Sequence, residues 1–396
     1  MSNDYVFNDT LPVAPLKIAA LESCRDLAEK VNSHIINFRR NDIEVLKKRQ
    51  ENLQYRGYDA DSYMLDCACP RFGSGEAKGI VNESVRGTDI YAMVDVTNYS
   101  LTYNVSGFTN HMSPDDHFQD LKRVISSSVA TAHRVNVIMP FLYEGRQHKR
   151  TKRESLDCAM ALEELVNMGV SNIITFDAHD PRVQNSIPLS GFDNFMPTYQ
   201  FVKTLLKHDP DLQLDKDHLM VISPDEGAMD RAVYLANNLS VDMGMFYKRR
   251  DYSTVINGRN PIVAHEFLGA SVEGKTVLII DDMISSGESM LDTAKALKDR
   301  KAKKVIICCT FGLFTNGLEK FDEFYNKGYI DYVITTNLNY RPKELMEREW
   351  YLEANMSKYL AAIVNSFNHD ISIGAALSPT IKIQKLLQKF HAGKTE

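Results

Sequence analysis

The stretch VLIIDDMISSGESM, Val277 to Met290, opens as an unbroken apolar run, passes through two adjacent carboxylates, and ends in small hydroxyl residues and a glycine before a helical pattern begins. An apolar run without alternation reads as a strand buried on both faces. The turn behind it presents backbone N–H groups, and the helix start adds a favourable dipole, so together they suit a phosphate. Ser285, Ser286 and Ser289 bring hydroxyl donors. Asp281 and Asp282 can accept from sugar hydroxyls or hold Mg²⁺ through water. Phosphate donors beside hydroxyl acceptors describe a sugar-phosphate site. The bland alternative, a strand-to-helix turn capped by serines, gives the aspartate pair no purpose.

Working outward, short apolar runs recur at Ile90–Val96, Val135–Met139, Ile173–Phe176, Leu219–Ile222, Val305–Cys309 and Tyr332–Ile334, most of them separated by helical patterns such as Glu154–Met168 and Gly227–Leu239. Buried strands alternating with helices predict an α/β chain with mainly parallel sheets covered on both faces. Ligands in such folds bind at the carboxyl ends of the strands. Acidic and small polar residues gather there: Asp177, His179 and Asp180 after one run, Ser223, Asp225 and Gly227 after another. Before the first run, a long amphipathic helix is predicted over about Val31 to Gln54, its charged residues (Arg39, Arg40, Lys47, Lys48, Arg49) forming a solvated face. Residues 98–118 read as a turn-rich loop or small insertion.

Composition narrows the partners. Lys and Arg number 46 against 52 Asp and Glu, a net charge of −6 over 396 residues. That argues against nucleic acid, whose binding leans on clustered cations, but leaves room for a small anion in a local basic pocket. No apolar run reaches the roughly 18 residues of a membrane helix, and the N-terminal residues show no secretory pattern. Six scattered cysteines, with no second Cys/His pair at zinc spacing beyond Cys67-Ala-Cys69, fit free thiols in a cytoplasmic protein.

The Val277–Met290 segment resembles the ribose-5-phosphate loop of the type I phosphoribosyltransferase fold. That fold is shared by phosphoribosyltransferases and ribose-phosphate pyrophosphokinases, the PRPP synthetases. Further segments resemble the synthetase in family order: RFGSGE (Arg71–Glu76), NESVRGTDI (Asn82–Ile90), PFLYEGRQHKR (Pro140–Arg150), FDAHD (Phe176–Asp180), SPDEGAMDRA (Ser223–Ala232) and YKRRDYS (Tyr247–Ser253). A phosphoribosyltransferase that consumes PRPP would account for the first motif only.

The resemblance implies two phosphoribosyltransferase-like α/β domains and transfer of the β,γ-diphosphoryl group of ATP to ribose 5-phosphate, giving PRPP and AMP. Carried over position by position, it makes Lys248 and Arg250 catalytic residues on a mobile loop. It assigns Phe72, Glu76, Arg146 and Gln147 to ATP, and His179 and Asp225 to Mg²⁺. Asp225, Asp281, Asp282, Ser285, Ser286, Gly287 and Ser289 fall to ribose 5-phosphate. Phe72 and Glu76 serve a neighbouring copy in the family, which implies a homo-oligomer sharing its ATP site. The expected division is an extension at 1–35, an ATP-side domain at 36–195, a sugar-phosphate domain at 196–345, and a helical segment at 346–396 packing back on the first domain.

Four residues depart from the family pattern: Ser74 and His148 where acids are usual, Ser285 for an aspartate, and Glu288 for a glycine. A carboxylate ~5 Å from a phosphate, at an effective dielectric of ~20, costs on the order of 3 kcal/mol. Glu288 therefore either turns to solvent in the first helical turn, where the dipole favours an acid, or offsets the acid lost at Ser285. The rival to an active enzyme is a non-catalytic synthetase-like subunit that binds nucleotide and regulates a partner. The presence of Lys248, Arg250, His179 and Asp225 favours the enzyme.

Overall fold

A computed structural model describes residues 10–49, 55–250, 262–376 and 378–392. In chain order the first half carries β1 (Leu16–Ala20), the short pair β2 (Cys67–Ala68) and β3 (Ile80–Val81), β4 (Asp89–Met93), the hairpin β5 (Thr102–Val105) and β6 (Phe108–His111), β7 (Arg134–Ile138), β8 (Asn172–Phe176) and β9 (Gly191–Phe195). The second half carries β10 (Leu219–Ser223), β11 (Asp242–Arg250), β12 (Ile262–Leu268), β13 (Thr276–Ile284), β14 (Lys304–Gly312), β15 (Tyr332–Thr336) and β16 (Tyr351–Ala354). Strands β1-β4-β7-β8-β9 form one all-parallel sheet. Strands β12-β11-β10-β13-β14-β15-β16 form a second, parallel except for the edge strand β12.

Apolar residues on both faces of each strand are what the parallel sheets require. In β4, Ile90 and Ala92 enter one core layer while Tyr91 and Met93 enter the other. The second layer is shared between the halves of the chain: Phe311, Leu338, Leu360 and Ile363 pack there beside Ile18, Ile35 and Phe176. The two sheets are thus joined by apolar burial as well as by the polar contacts described below.

Three expectations need correction. Of the extension expected at 1–35, residues 16–35 belong to the fold instead: β1 pairs in parallel with β4, and the first long helix starts at Arg25 and runs to Lys48. Its charged residues are not all solvated either. Arg39 is buried between the rings of Tyr58 and Tyr63, 4.7 and 4.6 Å from their centroids, and donates to Asn365 and Asn368. A guanidinium suits such a site because it stacks on aromatic faces while keeping its in-plane donors. The segment after residue 346 does not pack only on the first sheet's layer. Tyr351–Ala354 is the edge strand β16, the helix Ser357–Asn368 packs on Arg25–Lys48, and the helix Pro379–His391 packs on Thr198–His208. Residues 98–118 form the β5–β6 hairpin and the first turn of the helix Pro114–Ser128.

His369 ties the chain's beginning to this layer. Its Nδ1 lies 2.7 Å from the Thr10 carbonyl, its Nε2 is buried without a partner, and the Tyr58 ring stands edge-on to it. Burial holds its pKa down at about 4, with the nearby Arg39 adding to the effect against the Thr10 hydrogen bond. The unfolded chain therefore binds a proton that the folded one refuses, so stability falls as pH drops from about 6.5 toward 4. Between pH 7 and pH 5 this amounts to about 2 kcal/mol. Urea unfolding of the wild type should show that loss, and His369→Gln should remove it; an unchanged slope in the variant would contradict the assignment.

Candidate active site

β8 belongs to the first sheet and β13 to the second. Residues just past the carboxyl end of β8 meet Asp282, near the carboxyl end of β13, across the gap between the sheets. Asp177 follows β8 with a positive φ of 42°. Its carboxylate accepts from Arg231 Nε at 2.6 Å and from Thr310 Oγ1 at 2.5 Å. Arg231 lies on the helix Met229–Leu239 behind β10, and its remaining donors reach the carbonyls of Ala178 and Gly227. Arg231 Nη2 also stands 3.8 Å from Asp282 Oδ2. Asp282 in turn lies 2.6 Å from His179 Nδ1. One first-sheet aspartate, one second-sheet aspartate, an arginine and a histidine thus form a continuous clasp.

The strand carrying the aspartates is longer than expected. β13 continues to Ile284, paired with β14 as far as Gly312, so Asp281 and Asp282 lie inside a strand rather than beyond it. Strand geometry sends neighbouring side chains to opposite faces, and the pair is divided accordingly. Asp282 turns to His179 and Arg231, and despite burial these two hold its carboxyl below the usual range. Burial raises Asp281 well above that range, and the negative charges of Asp282 and Asp225 raise it further. A ligand that brings hydroxyl donors or a cation would relieve Asp281.

Asp225 follows β10 and accepts from the Gly227 N–H at 3.0 Å, heading the short turn Glu226–Ala228. Behind β13, Gly287 takes φ +81° at the head of the helix Glu288–Asp299, where a Cβ would lie 2.4 Å from the Phe321 ring. Glycine is required there twice over, by backbone and by space. Gly287, at the N-cap, offers no side chain to cap that helix, and a helix start of this kind suits an anion. Glu288 is exposed, and its carboxylate meets Lys320 Nζ at 2.9 Å, which lowers its pKa.

Between the sheets, beside the clasp, lies a cavity of about 700 Å³ whose wall includes Tyr99, Phe141, Tyr143, Arg146, Phe314 and Tyr340. Arg146 therefore borders the same gap. Gln147 instead spends its amide donors on the carbonyls of Ser155 and Lys149. His148 stands 3.4 Å from Asp180 and 5.4 Å, ring to ring, from His179. Phe72 and Glu76 do not line the cavity; they sit on an exposed turn closed by Phe72 N–H to Glu76 carbonyl and by Ser74 Oγ to the Glu76 carboxylate. The backbone of Lys248 and Arg250 belongs to β11, but their side chains and the loop after them lie outside the described residues.

Sequence reasoning placed Asp177 at a strand end without giving it a role, and passed over Arg231 and Thr310 as site residues. Arg231 was within reach, since it stands one helical turn after Gly227 in SPDEGAMDRA. Thr310 carried no signal: it ends an apolar run, and only the sheet order brings it to Asp177.

Among the described residues no group of three or more His, Cys, Asp or Glu side chains could hold a metal by itself. Mg²⁺ commonly takes one or two protein ligands and completes its shell with phosphate and water. His179 fits that mode: Asp282 fixes its Nδ1 and leaves Nε2 as the open nitrogen.

Two mainly parallel sheets opposed at their carboxyl ends, one of them carrying a glycine-headed turn behind an aspartate pair, define a protein built on the phosphoribosyltransferase fold. Residues 16–169 match the N-terminal domain of ribose phosphate pyrophosphokinase, and residues 202–340 match the phosphoribosyl transferase domain. The chain belongs to the ribose-phosphate pyrophosphokinase family. It is 30% identical over 312 residues to the ribose-phosphate pyrophosphokinase of Staphylococcus epidermidis, covering 77% of this chain and 80% of that one. It is 29% identical over 273 residues to the enzyme of that name from Mycoplasma genitalium, covering 68% and 74%. In fold it is similar to a phosphoribosylpyrophosphate synthetase from Mycobacterium smegmatis, with a TM-score of 0.68 at 19% identity over 90% of this chain and 99% of that one.

Arg231→Met would leave buried Asp177 and Asp282 without their cation, a change expected to cost about 3–5 kcal/mol in urea unfolding at pH 7. The deficit should narrow as pH falls, because a protonated Asp177 needs no partner. A deficit independent of pH would mean that Arg231 acts by packing alone. Glu288→Gln, by contrast, should change the KM for ribose 5-phosphate by less than about twofold, because Lys320 already neutralises that carboxylate at an exposed position. A larger fall in KM would place the carboxylate against the phosphate.

Proposed function

We propose that this chain transfers the β,γ-diphosphoryl group of ATP to the anomeric hydroxyl of ribose 5-phosphate, as a homo-oligomer in the cytoplasm. The observation that carries the reading is the clasp, which holds the strand end bearing His179 and the strand end leading to the phosphate turn in one gap.

In this reading the 5-phosphate sits on the first N–H groups of the helix Glu288–Asp299 and on the hydroxyls of Ser285, Ser286 and Ser289. Asp281 and Asp225 accept from the ribose hydroxyls. Asp282, being spent on His179 and Arg231, orients the histidine instead of touching the sugar. His179 and Asp225 would hold Mg²⁺, which would supply charge neutralisation for the polyphosphate. Arg146 holds ATP, Gln147 with its donors spent on the Ser155 and Lys149 carbonyls offers it only the amide oxygen, and Phe72 and Glu76 reach it from a neighbouring copy. The anomeric oxygen attacks the β-phosphorus, the bond from that phosphorus to the α,β-bridging oxygen breaks, AMP departs, and the hydroxyl proton is released. Lys248 and Arg250 close over the transferring group and stabilise the charge that builds on its oxygens. Positioning and charge account for the catalysis, and no covalent enzyme intermediate is needed.

Phosphorus NMR of the purified protein with ATP, Mg²⁺ and ribose 5-phosphate should show AMP and PRPP appearing together, with Lys248→Ala slower by about a hundredfold or more. No AMP above that control would leave the nucleotide-binding regulatory subunit as the better reading.

A further inference from the structure

The hairpin β5–β6 lies outside the motifs that the proposed function uses, yet it touches one of them along its length. Its two-residue turn, Ser106-Gly107, takes positive φ at both positions (50° and 86°), the geometry that matches the twist of a tight hairpin. The base is fastened twice. His111 Nδ1 lies 2.7 Å from the Tyr99 carbonyl, and the Met112 N–H donates to the Leu101 carbonyl. Tyr103 OH reaches Asp116 in the first turn of the helix Pro114–Ser128. An isolated two-stranded ribbon is marginal in water, so these anchors and whatever the ribbon leans on decide whether it holds its place.

It leans on the turn Phe72–Glu76. The Ser106 N–H donates to the Gly73 carbonyl at 3.3 Å. Gly75 sits at φ +91° with Val105 so close that a Cβ there would lie 2.8 Å from Val105 Cγ2. The Arg71 guanidinium, paired with Asp120 at 2.8 Å, lies over the Tyr103 ring at 4.8 Å. Backbone, methyl and ring contacts therefore fix one flank of a turn that holds two glycines and presents Phe72, half exposed, to solvent.

We propose that the β5–β6 hairpin is a positioning element for ATP: Val105, Tyr103 and Ser106 preorganise the Phe72–Glu76 turn for insertion into the nucleotide site of a neighbouring copy. The inference rests on the reading that Phe72 and Glu76 complete that site. A turn with two glycines, left alone, would have to be ordered each time ATP binds, and the hairpin removes that cost before binding. Affinity for ATP is what such a brace changes; the transfer step and the sugar-phosphate site lie elsewhere.

Steady-state kinetics on the full-length protein separates the possibilities. Val105→Ala and Tyr103→Leu should each raise the KM for ATP by roughly tenfold, the scale of misplacing a binding group by a fraction of an ångström. The kcat and the KM for ribose 5-phosphate should stay within about twofold, and Val105→Ile should restore the wild-type KM for ATP. In a Phe72→Ala background, itself raised in KM for ATP, Val105→Ala should add almost nothing, because it acts through the same side chain. If Phe72→Ala leaves the KM for ATP unchanged, the shared-site reading fails and takes the brace with it. If Phe72→Ala raises KM while Val105→Ala and Tyr103→Leu do not, the reading stands and the brace falls. A Val105→Ala effect that is fully additive with Phe72→Ala, or that lowers kcat and both KM values alike, would also overturn it.

Discussion

Arg231 stands between Asp177 and Asp282, all three no more than 8% exposed, and the polar part of the junction between the two sheets depends on it. Two carboxylates brought into a desolvated gap repel each other and resist ionisation. One planar cation with several donors satisfies both and still reaches two backbone carbonyls. Such a buried cluster is weak evidence for stability, since apolar residues of similar volume often do as well. Its better-attested value is registry, and registry is what a site split between two sheets needs. Asp177 belongs to the first sheet and Asp282 to the second, so a slip of either sheet would strand a charge.

The same cluster divides labour between neighbouring aspartates. The alternation of a strand sends Asp281 and Asp282 to different surroundings, and their proton affinities separate in consequence. Asp282 is committed to His179, which fixes the imidazole and leaves one nitrogen facing outward. Asp281, buried beside two other negative charges, is the member whose needs a ligand can meet. Two identical residues at adjacent positions thus acquire unlike chemistry from backbone geometry alone.

Much of this was legible in the sequence, because buried parallel strands write themselves as apolar runs and their carboxyl ends as sudden polarity. The α/β class, the strand ends at Asp177 and Asp225, and the turn around Gly287 all follow from that contrast, whereas β13 runs on past Asp281 to Ile284. What could not be read depends on sheet order or on compensation at a distance. Leu16–Ala20 is too short a run to separate strand from loop until its pairing with Asp89–Met93 is known. Arg39 looked like part of a solvated face because period alone cannot register two tyrosines arriving from about 20 residues further on. Thr310 became a site residue only when β14 was placed beside β13 and within reach of Asp177.

The departures from the family pattern show compensation in the same way. Glu288 stands where a glycine is usual, yet its carboxylate is exposed and faces Lys320, in the first turn of a helix whose dipole favours an acid. Exposed pairs of this kind add little to stability, so their effect here is on direction: the lysine draws the carboxylate toward solvent and cancels its charge. Ser74 replaces an acid but donates to the carboxylate of Glu76 two residues on, so the turn loses a charge and gains a hydrogen bond that orients the acid it keeps. The hairpin then presses on the same turn from the other side. On the proposed reading, in which this turn meets ATP with one acid fewer, a turn held in place beforehand spends less of the remaining interaction energy on ordering itself.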